Sequence, residues 1–101
     1  MTDRAATIAD YRALGQAHAS ELMEEIRKRA RQGNPPSRET LVTTIKVEGV
    51  RLASLGSTRD EVEAWVTALT ETFVSLCDTY RKELDRTAAR IRLGVACSGR
   101  A

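Results

Sequence analysis

Thr58-Arg59-Asp60-Glu61-Val62-Glu63-Ala64-Trp65-Val66-Thr67-Ala68-Leu69 opens the stretch that decides the fold. Thr58 followed by Glu61 is a capping-box pattern, in which each side chain accepts a hydrogen bond from the other's backbone N–H at a helix start. From there Val62, Trp65 or Val66, Leu69, Phe73, Leu76, Tyr80, Leu84, Ala88 and Ile91 recur every three or four residues, the spacing of one helical face. Neither Pro nor Gly intervenes before Gly94. A single helix over about 58–93 is therefore expected, and at 1.5 Å per residue it would be ~54 Å long.

Upstream of Thr58, the chain is punctuated at Gly56-Ser57 and at Gly33-Asn34-Pro35-Pro36-Ser37. The first segment, about 3–32, is rich in Ala, Glu and Arg, and its stripe of Ile8, Tyr11, Gly15, Leu22, Ile26 and Ala30 has helical spacing. Asp3 is the expected N-cap, and Gly33 stands where a left-handed residue ends a helix. The middle segment, 38–55, has two readings. As a helix, Leu41, Val42, Ile45, Gly49, Leu52, Ala53 and Leu55 share one broad face, with Val47 and Val50 outside it. As a β-hairpin over 41–47 and 50–55, Leu41, Thr43, Ile45 and Val47 alternate with polar neighbours and Glu48-Gly49 makes the turn. The density of β-branched residues favours the hairpin. Ser37 as a cap, Gly56 as a stop and the poor fit of Glu to a type I′ turn favour the helix, which is the preferred reading. The expected fold is one mainly α domain over 1–101: two long helices, a shorter middle element and a flexible tail at 95–101.

These lengths do not match. A middle helix of at most ~27 Å covers about half of the groove between partners of ~45 and ~54 Å. The uncovered strip is expected on the distal third helix, at Tyr80, Leu84, Ala88, Ile91 and Val95, a coiled-coil-like seam that a second copy would cover. The alternative is a break near Asp78-Thr79 that folds the distal half back on the first helix. Trp65, Phe73 and Leu69 are the expected core anchors, with Trp65 the largest side chain on the stripe.

Charge is polarised along the third helix. Asp60, Glu61, Glu63, Glu71 and Asp78 come first, and Arg81, Lys82, Arg86, Arg90, Arg92 and Arg100 dominate after them. Acid at the start and base at the end is what a helix dipole favours. The pairs Glu24–Lys28, Glu25–Arg29, Asp78–Lys82 and Arg81–Asp85 stand at i,i+4. Arg27, Arg31, Arg38, Arg90, Arg92 and Arg100 are left without an evident partner. Parallel long helices would bring both basic ends to one pole, where Arg27, Lys28, Arg31, Arg90 and Arg92 could meet phosphate. The net charge of +2 is small for a dedicated nucleic-acid binder.

Catalytic constellations are missing from the sequence. His18 is the single histidine, and its neighbours Leu14, Gly15, Ala17 and Leu22 offer neither a carboxylate to orient it nor a nucleophile to activate. Cys77 and Cys97 have no other ligand at metal-binding spacing and read as free thiols. No Gly-rich phosphate loop is present. Neither a metal nor a cofactor is expected, nor a small-molecule substrate, and the chain reads as no enzyme. No apolar run approaches a membrane span, and residues 1–20 contain no signal-peptide core, so the expected location is the cytoplasm without membrane contact.

Leu52-Ala53-Ser54-Leu55-Gly56-Ser57-Thr58-Arg59-Asp60-Glu61-Val62 resembles the opening of the helix-turn-helix in some phage small terminase subunits. There a short helix ends in Leu-Gly, a Thr caps the next helix and a Glu-Val or Glu-Ile pair follows. The resemblance implies an oligomeric, phage-type DNA-packaging adaptor that recruits a large motor subunit. It covers about a tenth of the chain, and Val66-Thr67-Ala68 continues the helix where that motif turns again. The sequence therefore leads to a non-enzymatic helical homo-oligomer whose partners are itself and another protein. A DNA-binding or DNA-packaging accessory is the alternative.

Overall fold

The computed structural model describes residues 7–98, with side chains described through residue 94. Three helices occur in order: α1, Ile8–Arg31; α2, Arg38–Ser54; and α3, Arg59–Ser98. The middle segment is thus helical and the hairpin reading is corrected. Its β-branched residues are accommodated locally, with Ser37 Oγ accepting from Thr40 N–H at 3.1 Å and Thr44 Oγ1 donating to the Thr40 carbonyl at 2.9 Å. These bonds satisfy groups that would otherwise compete with the helix.

Caps set the other boundaries. The N-cap of α1 is Thr7 rather than Asp3, with a reciprocal box in which Thr7 N–H donates to Asp10 Oδ2 at 2.8 Å and Asp10 N–H donates to Thr7 Oγ1 at 3.3 Å. Thr58 and Glu61 make the expected box at α3, with bonds of 2.7 and 3.2 Å. Gly33 (φ +77°) and Gly56 (φ +97°) end α1 and α2 in left-handed conformations. Asn34 N–H and Ser57 N–H then reach back to the carbonyls of Arg29 and Leu52, the Schellman arrangement that a Cβ-bearing residue would strain.

α1 and α3 run parallel, because Tyr11 meets Ser57, Gly15 lies on Trp65 and Leu69, and Arg27 meets Tyr80 and Glu83. The chain therefore goes up, down through α2, and up again. α1 packs along α3 over most of its own length, whereas α2 touches α3 sparingly. α1 and α2 bring no Cα atoms within 8 Å of each other. α3 is the shared spine and the other two helices are splayed on it.

The core is small. Ala19, Met23, Leu52, Trp65, Ala68 and Leu69 are its buried apolar residues, with Trp65 and Leu69 the largest that are fully enclosed. Phe73, the third expected anchor, is half-buried and packs against this cluster. At its centre the two parallel helices approach at Gly15: a Cβ there would run into the Trp65 carbonyl oxygen and stand 3.0 Å from the Leu69 amide nitrogen. Only glycine permits that separation.

α3 is unbroken from Arg59 to Ser98 over 40 residues, so the fold-back at Asp78-Thr79 does not occur. It continues past Leu93, and 95–98, expected as tail, are helical. One turn beyond the Arg27–Glu83 contact α1 ends, and α3 projects alone for roughly three further turns, ~17 Å. The molecule measures 74 × 24 × 21 Å with a radius of gyration of 19.0 Å, against ~13 Å for a compact domain of this length. No helix among the described residues is long and apolar enough to cross a membrane.

Candidate functional site

Splaying α1 and α2 on α3 opens a groove of about 610 Å³ whose floor is Trp65 and Leu69. Its α1 wall presents His18, Glu21, Leu22 and Glu25, and its α2 wall presents Ile45, Val47, Glu48 and Arg51. The walls are where they are because Gly15 and Ala19 let α1 lie close on α3, while α2 stands off beside the indole. A Cβ on Gly49 would lie 3.6 Å from Trp65 Cζ3, an ordinary van der Waals contact.

The polar groups of the groove are tied down. Trp65 Nε1–H donates to His18 Nδ1 at 3.0 Å, with the rings edge-to-face at 80°. The bond satisfies the one polar atom of a 1 % exposed tryptophan and requires the His18 tautomer protonated at Nε2. This pair joins positions 47 apart in the chain and has no local sequence signal; helical spacing alone showed His18 without a partner. Across the groove, Arg51 holds Glu48 through Nε to Oε2 at 3.0 Å and Nη2 to Oε1 at 2.6 Å. That hydrogen bonding keeps the Glu48 carboxyl below the ordinary carboxylate range and raises the Arg51 guanidinium. Nδ1 of His18 is occupied by that bond, and the hydroxyls lining the groove are those of Thr43 and Thr44. Among the described residues no three His, Cys, Asp or Glu side chains are grouped to hold a metal.

The second candidate surface is the far end of α3. Leu84, Ile91 and Leu93 are 51, 61 and 68 % exposed. Ala88 and Tyr80 are half-buried, and the side chain of Val95 lies outside the described residues. The five positions expected to form a strip are therefore not equivalent. Tyr80 is covered by α1, with the Arg27 guanidinium 4.7 Å from its ring centroid, and the exposed part begins at Leu84.

The basic residues divide as well. Arg27, expected to be unpaired, bonds Glu83 at 3.0 Å while stacking on Tyr80, and so acts as a clasp between α1 and α3. The i,i+4 pairs Glu25–Arg29 and Asp78–Lys82 form at 3.3 and 3.1 Å. Lys28, Arg31, Arg90 and Arg92 are exposed. Because α1 and α3 are parallel, all four lie toward the same pole. Cys77 is a free, half-buried thiol pushed up from its ordinary pKa by burial.

Comparison with known proteins finds no family model, no curated protein and no solved structure that matches the chain.

Proposed function

We propose that this chain is a non-enzymatic helical adaptor that self-associates and works through protein–protein contacts. The observation that carries this reading is the projection of α3 beyond α1 with Leu84, Ile91 and Leu93 in water. Each large aliphatic side chain left exposed forgoes roughly 1.5–3 kcal/mol of burial, a substantial fraction of the 5–15 kcal/mol that stabilises a typical domain. A second copy supplies the simplest cover. The spacing of Leu84, Ala88 and Ile91 suits a helix–helix seam of coiled-coil type. A cytoplasmic location goes with this reading, since a free, half-buried thiol such as Cys77 persists in a reducing compartment.

Sedimentation velocity over a concentration series tests it. The expected result is a dimer or larger species that the paired substitution Leu84→Asp/Ile91→Asp converts to monomer with its helix content intact. A wild-type chain that stays monomeric at every concentration removes the reading.

A second reading, a DNA-binding or phage-type packaging accessory, draws on the common pole of Lys28, Arg31, Arg90 and Arg92. It is the weaker of the two. Arg27 is already engaged by Glu83, and α3 runs without a turn through Val66-Thr67-Ala68, which leaves no separate recognition helix. Titration with duplex DNA at two salt concentrations separates the readings: phosphate contacts produce binding that weakens steeply with salt, and no binding at low salt eliminates the accessory.

A further inference from the structure

The groove and the free helix end are complementary. Three carboxylates, Glu21, Glu25 and Glu48, line the groove against one lining guanidinium, Arg51, with Arg29 paired to Glu25 at its edge. Its floor and flanks are the apolar surfaces of Trp65, Leu69, Leu22, Ile45 and Val47. The distal turns of α3 have the opposite character, with Arg86, Arg90 and Arg92 against Asp85, flanking the apolar Leu84, Ala88 and Ile91. Two distal ends laid on each other would gather six arginines around one seam, which like-charge repulsion opposes. Laying a distal end in a groove pairs basic rim with acidic rim and apolar strip with apolar floor.

Resting on the self-association reading above, we infer that the distal end of α3 in one copy seats in the α1–α2 groove of a second copy. A helix there lies between two helices already splayed on a third, and so completes a four-helix packing unit. The exchange closes. Ile91 stands ~39 Å along the same continuous helix from Trp65. Two α3 rods running antiparallel about a twofold axis near Asp78 place each Ile91 beside the other copy's Trp65. Both grooves fill together, and no free groove or free end remains to propagate a chain of copies. In the same register, the acidic first half of each α3 runs beside the basic second half of the other.

Charge reversal with complementation is the test, read as dissociation constants by sedimentation on the full chain. One variant carries Glu21→Lys/Glu25→Lys in the groove and the other Arg86→Glu/Arg90→Glu on the free end. All four side chains are exposed, and circular dichroism verifies that each variant is helical. Each variant alone is expected to dimerise at least about tenfold more weakly than wild type, and an equimolar mixture to regain dimer. Regain occurs because the reversed groove then meets the reversed end while the native groove meets the native end. If either variant dimerises like wild type, or if both weaken and the mixture does not recover, the groove is not the docking site and this inference falls, while the self-association reading stands. A wild-type chain that is monomeric throughout overturns both.

Discussion

Along α3, the turns from Trp65 to Tyr80 and the turns beyond Leu84 carry apolar residues at the same spacing and meet opposite fates. The first set lies against α1 and packs into or beside a cluster in which Trp65 and Leu69 are 1 % exposed. The second set has no neighbour, and Leu84 and Ile91 are more than half exposed. Periodicity makes a helix amphipathic, but only a partner of matching length makes its face a core. The difference between the two regions should therefore appear as a difference in what substitutions do.

The largest effect is expected at the centre of the packed region. Trp65→Ala removes the floor of the groove and the largest side chain of the cluster that Leu52 and Ile45 of α2 pack into, and should cost about 3–5 kcal/mol of unfolding free energy in urea titration. Loss of α2 helicity should accompany it, since α2 has few other contacts with the spine. A cost below about 1 kcal/mol would mean that Trp65 is not what holds the three helices together.

Gly15→Ala comes next and is the sharper probe of the α1–α3 approach. In an exposed helix this substitution stabilises by about 1 kcal/mol. Here the added methyl meets the backbone of Trp65 and Leu69, which cannot rotate away as a side chain could. The net result should be a destabilisation of about 1–3 kcal/mol. A gain in stability would show that the helices cross less closely. His18→Leu should cost a similar or smaller amount, ~1–3 kcal/mol, by leaving the Trp65 indole N–H buried without an acceptor. His18→Gln, which can accept that bond, should recover part of the loss. Equal losses for the two would assign His18 a packing role alone.

These sites also show how far the sequence could be read. The two long helices, the Thr58–Glu61 box and the stops at Gly33 and Gly56 were legible because capping and helix termination are local. So was the exposure of the distal end, which follows from comparing lengths. The choice between helix and hairpin at 41–55 was open because Thr and Val favour strands intrinsically, and only the caps and Trp65 tip the balance. Ala19, Met23 and Ala68, all buried in the core, fell outside a stripe traced mostly through larger residues. The two alanines contribute little to a periodic signal while allowing the helices to pack closely. The His18–Trp65 bond and the Arg27–Glu83–Tyr80 clasp were illegible for another reason. Each joins α1 to α3, and helix-local spacing carries no information about such pairs.

A smaller, pH-dependent effect is expected at the rim of the groove. The hydrogen bonds from Arg51 hold the Glu48 carboxyl below its ordinary value of 4.5. A carboxyl lowered in the folded state contributes stability above its unfolded value and loses that contribution as pH falls through the folded one. Glu48→Gln should therefore reduce the loss of stability on acidification from about pH 5 downward and leave the neutral-pH helix content unchanged. An acid limb as steep in the variant as in wild type would show that Glu48 is not among the groups responsible.

The smallest effect on folding itself is expected at the free end, and it is the most informative about the two regions. Leu84→Ala and Ile91→Ala remove aliphatic groups chemically similar to those of the core, yet in dilute solution each should change stability by no more than about 0.5 kcal/mol, as at other exposed positions. At higher concentration the comparison should reverse. A dimer that binds only the folded chain raises the unfolding midpoint with protein concentration. The wild-type midpoint should therefore climb across a hundredfold dilution series, run from the dilute end, while that of the paired Leu84→Ala/Ile91→Ala variant stays flat. If the two midpoints climb in parallel, the strip beyond Leu84 is not the surface that a second copy covers. If neither moves, the distal turns remain in water, and the exposed aliphatics lower solubility without adding an interface. Only a concentration-dependent gap between variant and wild type assigns these turns the role that the turns around Trp65 fill within a single chain.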